Sequence, residues 1–197
     1  MKLEEIISKA VNVVDVNYSD VSDLLIGKNI VAIYQGRCEA GPRALGNRSI
    51  LYDPRDPNAK DHVNKIKKRE WFRPFAGSMM LEYAHEWFDM AGLDESPFMS
   101  YALEVLPNKK HLIPGIIHVD DTCRLQTVTR KQNYHYYNLI ESFYQKTDVP
   151  IIFNTSFNLG GETLVETIDD AIDTLKRSEI EYLFLPEIMK LVIEENV

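Results

Sequence analysis

Arginine and glycine recur at close spacing in residues 36–49, GRCEAGPRALGNRS, which follow the apolar run Ile30–Tyr34. Glycine takes up positive φ at little cost and lets backbone N–H groups come close to a ligand. Arginine presents a fixed fork of donors that matches phosphate and carboxylate oxygens. The segment therefore predicts an anion site, with phosphate as the favoured ligand and Arg37 and Arg43 as candidate binding residues. Loops of this composition also form ordinary surface turns, so the segment alone leaves both interpretations open.

Positive charge is concentrated around this segment, although the chain carries only 22 Lys and Arg against 30 Asp and Glu. Between Gln35 and Arg73 basic residues outnumber acidic ones, ten to five. An acidic protein lacks the extended basic surface that non-specific nucleic-acid binding needs, whereas a local basic region focuses its field on a small anion. We therefore expect no nucleic-acid partner. We interpret Lys60, Lys65 and Lys68 as a solvated helix face, and the arginines beside glycine or proline as site residues.

A second candidate segment, KKREWFRPF at residues 67–75, ends a predicted helix and enters a strand. Its proline restricts Arg73 to extended geometry. Because a helix C-terminus is electronegative, positive charge here must come from the side chains of Lys67, Arg69 and Arg73.

Two later segments could contribute to the same site. Residues 118–124, HVDDTCR, place two carboxylates, a histidine and Arg124 on a turn before a strand. Residues 154–162, NTSFNLGGE, follow an apolar strand and combine side-chain donors with two glycines. Each segment alone would be interpreted as a turn or a cap, but four of them in one small domain favour a shared site. The donors of the last segment are Asn154, Thr155, Ser156 and Asn158.

Strands and helices alternate along the chain, which favours an α/β or α+β domain built on a twisted mixed sheet. No repeat or linker divides the sequence, so we expect one domain over residues 1–197. We predict helices at Leu3–Val13, Val21–Leu25, Asp56–Lys68, Glu82–Met90, Asn133–Lys146 and Asp169–Arg177, the last capped by Thr167. We predict strands at Ile30–Tyr34, Arg48–Tyr52, Phe75–Leu81, Met99–Leu106, Arg124–Thr129, Val149–Phe153, Glu181–Leu185 and Met189–Ile193.

Composition fits a globular domain that can bury a core, with 45% apolar and 26% charged residues. Residues 1–10 contain two Glu and no long apolar stretch, so they are no signal peptide, and no apolar run approaches the ~20 residues of a membrane span. Cys38 and Cys123 give neither a disulfide framework nor zinc spacing, and the five histidines are scattered. We expect a cytoplasmic protein with no membrane partner and no metal ligands of its own.

Three ordered motifs resemble the C-terminal domain of the O-carbamoyltransferases, the family of nodulation-factor and antibiotic carbamoyltransferases. They are GRCEAGPRALGNRSILYDPRDPNAKDHVNKIKKREWFRPFA, HVDDTCRLQTV and NTSFNLGGET, and the resemblance runs from about residue 30 to residue 186. It implies a YrdC-like domain, a twisted mixed sheet flanked by helices. The pairs Lys67-x-Arg69 and Ser156-x-Asn158 also resemble those of threonylcarbamoyl-adenylate synthases, which share that fold.

The resemblance implies that the domain binds ATP, with Mg²⁺, and carbamoyl phosphate, and forms carbamoyl-adenylate with release of phosphate and pyrophosphate. Such transfers need positioning and charge neutralisation more than a protein nucleophile. It assigns the carbamoyl phosphate or carbamate to Lys67, Arg73 and Arg124. The resemblance also assigns binding of the nucleotide and of the acyl end to Asn154, Ser156 and Asn158. Arg69 belongs to the basic pair with Lys67.

Two local departures from the family pattern concern the site. Residues 38–41 read CEAG where many members have Met-Glu-Phe-Gly, and Gly160 stands where many have arginine. Family enzymes also carry an N-terminal actin-like domain that transfers the carbamoyl group to a hydroxyl acceptor, and about 30 residues precede the first motif here. We therefore expect a protein partner that carries that domain. Two other functions stay open: a non-catalytic nucleotide- or anion-binding module, and a threonylcarbamoyl-adenylate synthase-like enzyme.

Overall fold

Nine strands form one mixed sheet in the computed structural model, which describes residues 12–194. They are β1 (Asn12–Asp15), β2 (Val31–Tyr34), β3 (Arg48–Tyr52), β4 (Ala76–Met80), β5 (Ala102–Glu104), β6 (Thr122–Val128), β7 (Ile151–Ser156), β8 (Tyr182–Leu185) and β9 (Lys190–Ile193). Their order across the sheet is β1-β9-β8-β2-β3-β7-β4-β6-β5. β2 pairs with β8 and β4 with β6 in parallel, and the other neighbours are antiparallel. The predicted α/β class is confirmed.

The middle of the sheet is buried and its edge is not. All five residues of β3 and of β4 are buried, as are the first four of β7. Apolar side chains such as Ile50, Met79 and Phe153 form the core there. At the edge, β5 alternates exposed and buried residues. Burial therefore peaks on the strands that flank β7.

Three of the five α-helices in the described residues begin at a side-chain cap. The five helices are α1 (Tyr18–Ile26), α2 (Ala59–Ile66), α3 (Ala84–Trp87), α4 (Tyr134–Thr147) and α5 (Ile168–Lys176). Capping boxes start α1, from Asn17 and Asp20, and α5, from the predicted cap Thr167 with Asp170. α1 packs against α4, which packs against β4 and β7. Within residues 12–194 no helix is long and apolar enough to cross a membrane.

Two predicted helices differ from the structure. The one at Leu3–Val13 lies mostly outside the described residues, and its last two positions belong to β1. The one at Glu82–Met90 is wrong in length, because only a 3-10 turn and α3 form there. Phe88 is extended and bridges to Val105, so a contact between distant residues ends the helix.

Two further differences affect the candidate site. The helix predicted from Asp56 begins only at Ala59, because the Asp56 carboxylate accepts from the Asn58 N–H at 3.0 Å and forms a turn. The strand predicted at Val149–Phe153 continues to Ser156, because β4 pairs with it as far as Asn154 and β3 as far as Ser156. The polar residues at the end of β7 are thus held in the sheet and not in a loop.

Candidate anion-binding site

A row of paired residues on three neighbouring strands forms the floor of a small cavity. Asn154 of β7 pairs with Ala76 of β4, which pairs with Arg124 of β6. Ala76 carries only a methyl group and leaves space between the two longer side chains. We call this cavity of about 110 Å³ the inner pocket. It is lined by Pro42, Arg43, Ala44, Arg69, Pro74, Phe75, Ala76, Met99, Arg124, Asn154, Thr155 and Ser156.

A larger cavity of about 650 Å³, the outer pocket, shares Arg69 and Ser156 with the inner pocket. The two pockets therefore form one groove. Arg43 and Arg124 bring residues of two of the four segments singled out in the sequence to the inner pocket, and segments 67–73 and 156–162 supply the walls of the outer pocket. The outer pocket is lined by Lys67, Lys68, Arg69, Glu70, Arg73, Ser156, Asn158, Leu159, Gly160, Gly161 and Glu162.

Lys67 is fully buried and holds the chain that follows β7. Its Nζ donates to the carbonyl oxygen of Ser156 and lies 3.4 Å from Oγ of the same residue. It also donates to two oxygens of Asn158, the carbonyl oxygen at 2.8 Å and Oδ1 at 3.0 Å. Burial, followed by the charge of Arg69, lowers the pKa of Lys67 to about 7. Gly160 N–H donates to the Lys67 carbonyl at 2.6 Å, and a Cβ on Gly160 would lie 2.6 Å from the Lys68 carbonyl. This backbone arrangement leaves no room for a side chain at position 160.

Arg69 stands between the two pockets. Its guanidinium lies over the Phe75 ring, 4.2 Å from the centroid, and its Nε donates to Asn64 Oδ1 at 2.5 Å. Its Nη2 is buried and has no hydrogen-bond partner. Burial, then the charge of Arg73, lowers the pKa of Arg69 to about 10. Arg69 thus lines both pockets, while its Nη2 is buried behind their surface without a partner.

The other arginines predicted for the site differ in position. Arg43 and Arg124 both line the inner pocket, and burial, then Arg43, lowers the pKa of Arg124. Arg73 lines the outer pocket but pairs with Glu70, Nε to Oε2 2.8 Å, with both side chains about half exposed. Arg37 is exposed and lines neither pocket, so its binding role stays a prediction without geometric support.

The groove carries positive charge that protein carboxylates do not neutralise. Within residues 12–194, Lys67, Arg43, Arg69 and Arg124 form no ion pair with an acid. The second acid in the outer-pocket lining, Glu162, is paired with Arg177. The positive charges of Arg43, Arg69 and Arg124 along one groove repel each other, and an anionic ligand would relieve that repulsion.

Arg48, the third arginine of the glycine-rich loop, shapes the loop and does not face the groove. It is buried, lies over the Tyr34 ring at 3.5 Å, and donates to four carbonyl groups. These belong to Gln35 (2.6 Å), Asn47 (2.9 Å), Gly36 (3.2 Å) and Glu166 (3.1 Å). Glu39 acts from inside the loop, because its Oε1 accepts from the backbone N–H groups of residues 45, 47 and 48. Arg48, which has neither glycine nor proline beside it, was not among the candidate binding residues.

Gly46 allows the loop to descend onto α4. Its φ is 104°, and a Cβ there would lie 2.2 Å from the ring of Tyr136. The predicted aromatic segment around Tyr136 is therefore core at this residue, which is fully buried, whereas Tyr134 is exposed. Any side chain at position 46 would push the loop, with Arg43, away from the inner pocket.

A buried hydrogen-bond chain that the sequence analysis did not predict lies under this loop. Ser78 Oγ donates to Gln126 Oε1 at 2.6 Å, and Gln126 Nε2 donates to the Leu45 carbonyl at 2.9 Å. Asn154 Nδ2 contacts Ser78 Oγ at 2.9 Å, the Ala44 carbonyl at 3.2 Å and Gln126 Oε1 at 3.3 Å. Asn154 Oδ1 is buried without a partner. The chain ties β4, β6 and β7 to the loop.

On the other side of the loop lies a cavity of about 390 Å³, which we call the neighbouring cavity. Its amide side chains bond to one another or to nearby groups: Asn133 Nδ2 donates to Asn47 Oδ1 at 3.1 Å, and Gln132 Nε2 to Glu95 at 3.3 Å. Glu39 Oε2 is buried there without a partner. The neighbouring cavity is lined by Glu39, Leu45, Asn47, Pro97, Phe98, Gln126, Thr127, Val128, Gln132, Asn133 and Tyr134.

Segment 118–124 contributes only Arg124 to the groove. His118 uses both ring nitrogens elsewhere, Nδ1 with Thr122 Oγ1 at 3.1 Å and Nε2 with the Phe75 carbonyl at 3.0 Å. Cys123 is buried, and burial raises the pKa of its thiol to about 12. Among the described residues no group of three or more His, Cys, Asp or Glu is placed to hold a metal ion.

Known proteins with similar sequences share most of this chain. The family model for the carbamoyltransferase C-terminus matches residues 22–191. The chain belongs to the family of carbamoyltransferase C-terminal domains. It is 44% identical over 167 residues to nodulation protein NolO of Bradyrhizobium diazoefficiens, covering 84% of this chain and 30% of NolO. It is 46% identical over 156 residues to nodulation protein NolNO of Sinorhizobium fredii, covering 78% of this chain and 23% of NolNO.

The fold is that of a solved structure as well. The crystal structure of full-length HypF in the phosphate- and nucleotide-bound form matches with a TM-score of 0.60 and 22% identity, over 85% of this chain and 24% of HypF. At that identity the match shows the fold, and it agrees with the predicted YrdC-like sheet. The chain spans about a quarter to a third of the length of the two nodulation proteins.

Proposed function

We propose that this domain binds ATP and carbamoyl phosphate in the groove and forms carbamoyl-adenylate. In this scheme water cleaves carbamoyl phosphate to carbamate and phosphate. A carbamate oxygen then attacks the α-phosphorus of ATP and expels pyrophosphate. The observation that carries the proposal is the set of three arginines, Arg43, Arg69 and Arg124, that line one groove without a paired acid. Both steps carry negative charge on substrate and leaving group, which such a site stabilises.

The sizes of the two pockets suggest how the substrates divide between them. The outer pocket, about 650 Å³, has room for a nucleotide, whereas the inner pocket, about 110 Å³, suits a small acyl group. Arg69 lines both and would contact the reacting groups where they meet. Lys67 spends its N–H groups on Ser156 and Asn158, so we assign it to holding the wall of the site.

Mg²⁺ would enter this site with the phosphates of ATP. The acids that line the outer pocket, Glu70 and Glu162, are each paired with an arginine. Mg²⁺ in nucleotide sites keeps several waters and needs few protein ligands, so the groove fits it as a counter-ion of ATP. When bound it would neutralise phosphate charge, and the arginines would orient the carbamate.

The second half of the reaction, transfer to a hydroxyl group, is assigned to a protein partner that carries an actin-like transfer domain. A carbamoyl-adenylate is hydrolysable, so a direct hand-over that excludes water is expected. The exposed aromatic side chains Trp71 and Phe72, between two outer-pocket residues, and Phe98 and Tyr134, at the neighbouring cavity, offer apolar surface on which such a partner could dock. We place the reaction in the cytoplasm, in keeping with two free cysteines.

Pyrophosphate release tests the adenylation step. The chain with ATP, Mg²⁺ and carbamoyl phosphate should release pyrophosphate, and Arg124→Ala should lower the rate about 10²–10³-fold. Arg130→Ala is the matched control, because Arg130 pairs with Glu141 outside the groove.

ATP binding without pyrophosphate release would indicate a non-catalytic module. Release that requires bicarbonate and threonine would indicate a threonylcarbamoyl-adenylate synthase-like enzyme. Transfer to a hydroxyl acceptor by the chain alone would contradict the need for a partner.

A further inference from the structure

We infer that Asn64 is a positioning residue of the groove, because it fixes the direction in which the guanidinium of Arg69 meets a bound anion. Asn64 lies in the last turn of α2, is 1% exposed and lines neither pocket. It therefore acts on a ligand only through other residues. The inference rests on the proposed function, since it concerns how one arginine of that site is held.

Asn64 holds Arg69 at both the backbone and the side chain. Its carbonyl oxygen accepts from the Arg69 backbone N–H at 3.1 Å, and its Oδ1 accepts from Arg69 Nε at 2.5 Å. Between them Lys68 has a φ of 53°, so the chain turns back at the end of α2 and brings the arginine beside its last turn. One residue thus fixes where the arginine starts and where its guanidinium ends.

The same amide also holds the main chain that follows Arg69. Its Nδ2 donates to the carbonyl oxygens of Trp71 and Arg73, at 3.0 and 3.2 Å. A flipped amide would place Oδ1 against these two oxygens and Nδ2 against the Arg69 Nε–H, so all three contacts require the same amide orientation. Asn64 therefore joins residues 69–73, which lie between α2 and β4, to the helix.

The side-chain bond decides which nitrogen of Arg69 can meet a ligand. The contact with the Phe75 ring, 4.2 Å from its centroid, has no preference among the three guanidinium nitrogens. The bond to Asn64, by contrast, engages Nε alone. Because Nη2 is buried without a partner, Nη1 is the nitrogen left for a ligand in the groove. Without Asn64 the guanidinium could rotate, and its donors would no longer be held in one direction.

The amide of Asn64 is neutral, so it orients Arg69 without cancelling its charge. Within residues 12–194 Arg69 forms no ion pair with an acid. A carboxylate at position 64 could hold the same Nε but would compete with an anionic ligand for the positive charge. A fixed donor with an uncompensated charge is the arrangement that stabilises an anion without reorganisation when it binds.

A double-mutant cycle on the full chain tests the inference, with ATP and Mg²⁺ as the ligand in titration calorimetry. Asn64→Ala should weaken ATP binding about tenfold, the usual effect of losing one hydrogen bond to a charged group. The same change made in Arg69→Met should have less than about a twofold effect, because Asn64 then has no guanidinium to orient. Asn64→Leu, which is similar in size, repeats the cycle if the alanine variant is unstable.

Asn58→Ala is the matched control, since Asn58 precedes the same helix, is exposed and does not cap it through its side chain. It should leave ATP affinity within about twofold. Equal weakening by Asn64→Ala with and without Arg69 would reveal a merely structural role and overturn the inference, as would unchanged affinity in Asn64→Ala itself. The expected cycle in a chain that releases no pyrophosphate would instead refute the proposed adenylation and leave the positioning role intact. A wild-type chain that binds no ATP would overturn both.

Discussion

The inner pocket and the neighbouring cavity flank the same loop, and both lie against β6, yet they differ in how their polar groups are satisfied. The neighbouring cavity is the larger, about 390 against 110 Å³, but its amide side chains bond to each other or to the adjacent chain. Among the residues that line the inner pocket, the buried atoms without a partner are a donor on Arg69 and an acceptor on Asn154, whereas at the neighbouring cavity the unpartnered atom is a carboxylate oxygen of Glu39. The two spaces therefore differ in the kind of group left unsatisfied, and not in whether one is left.

The two regions also differ in the charge of the side chains that line them. Three arginines, Arg43, Arg69 and Arg124, line the inner pocket without an acid, while Glu39 brings a carboxylate to the neighbouring cavity. The free Oε2 of Glu39 would repel an anion. Its Oε1 already bonds to three backbone N–H groups, so Glu39 holds the loop that separates the two spaces.

The largest effect is expected when the arginine that lines both the inner and the outer pocket is removed. Arg69→Met keeps apolar contact with Phe75 but deletes the guanidinium, and pyrophosphate release should fall about 10²–10³-fold. Phe98→Ala is the matched change in the neighbouring cavity and should leave the rate of the isolated chain within about twofold. Equal losses in the two variants, measured side by side, would erase the distinction between the regions.

A smaller effect is expected from the pH dependence of Lys67. Burial lowers the pKa of Lys67 to about 7, so between pH 7 and 10 the unfolded chain holds a proton that the folded chain has lost. Unfolding free energy should therefore rise with pH in that window, relative to Lys67→Met, by at most about 1.4 kcal/mol per pH unit. Below pH 7 both states are protonated and the difference should be constant.

Denaturant unfolding of wild type and Lys67→Met at several pH values measures this difference. Parallel curves from pH 7 to 10 would mean that the oxygens of Ser156 and Asn158 keep the ammonium charged despite its burial. In either case the lysine belongs to the wall of the outer pocket, a role that has no equivalent in the neighbouring cavity.

Local sequence signals predicted the parts of the fold that depend on neighbours in sequence. The cap Thr167 and the apolar runs of β2 and β3 are of this kind, and the structure contains them. The length of α3 and the extension of β7 to Ser156 could not be predicted, because they depend on pairing with strands far along the chain. The same limit applies to the site: Arg37 and Arg43 both stand beside glycine or proline, but only the folded structure shows that Arg43 lines the inner pocket and Arg37 lines neither pocket.

The charged segments singled out in the sequence nevertheless contain most of the cationic residues that line the groove. Lys67, Arg69, Arg73 and Arg124 were identified from charge beside turn residues, and all of them line one of its two pockets. The chain from Ser78 to Gln126 had no such signal, because serine and glutamine inside strands look like surface positions. Their function appears only when β4 and β6 are placed side by side.

The smallest effect on ligand binding is expected in the neighbouring cavity itself. Asn133 caps α4, accepting from the Tyr136 N–H at 3.1 Å, and its Nδ2 bridges to Asn47. Asn133→Ala should lower the unfolding free energy by about 1 kcal/mol, the usual cost of a lost cap, and change carbamoyl phosphate affinity less than about twofold. Calorimetric titration and denaturant unfolding on the same sample separate the two quantities. A tenfold loss of affinity in a folded variant would show that the loop transmits changes between the cavities, and the two regions would then have to be treated as one site.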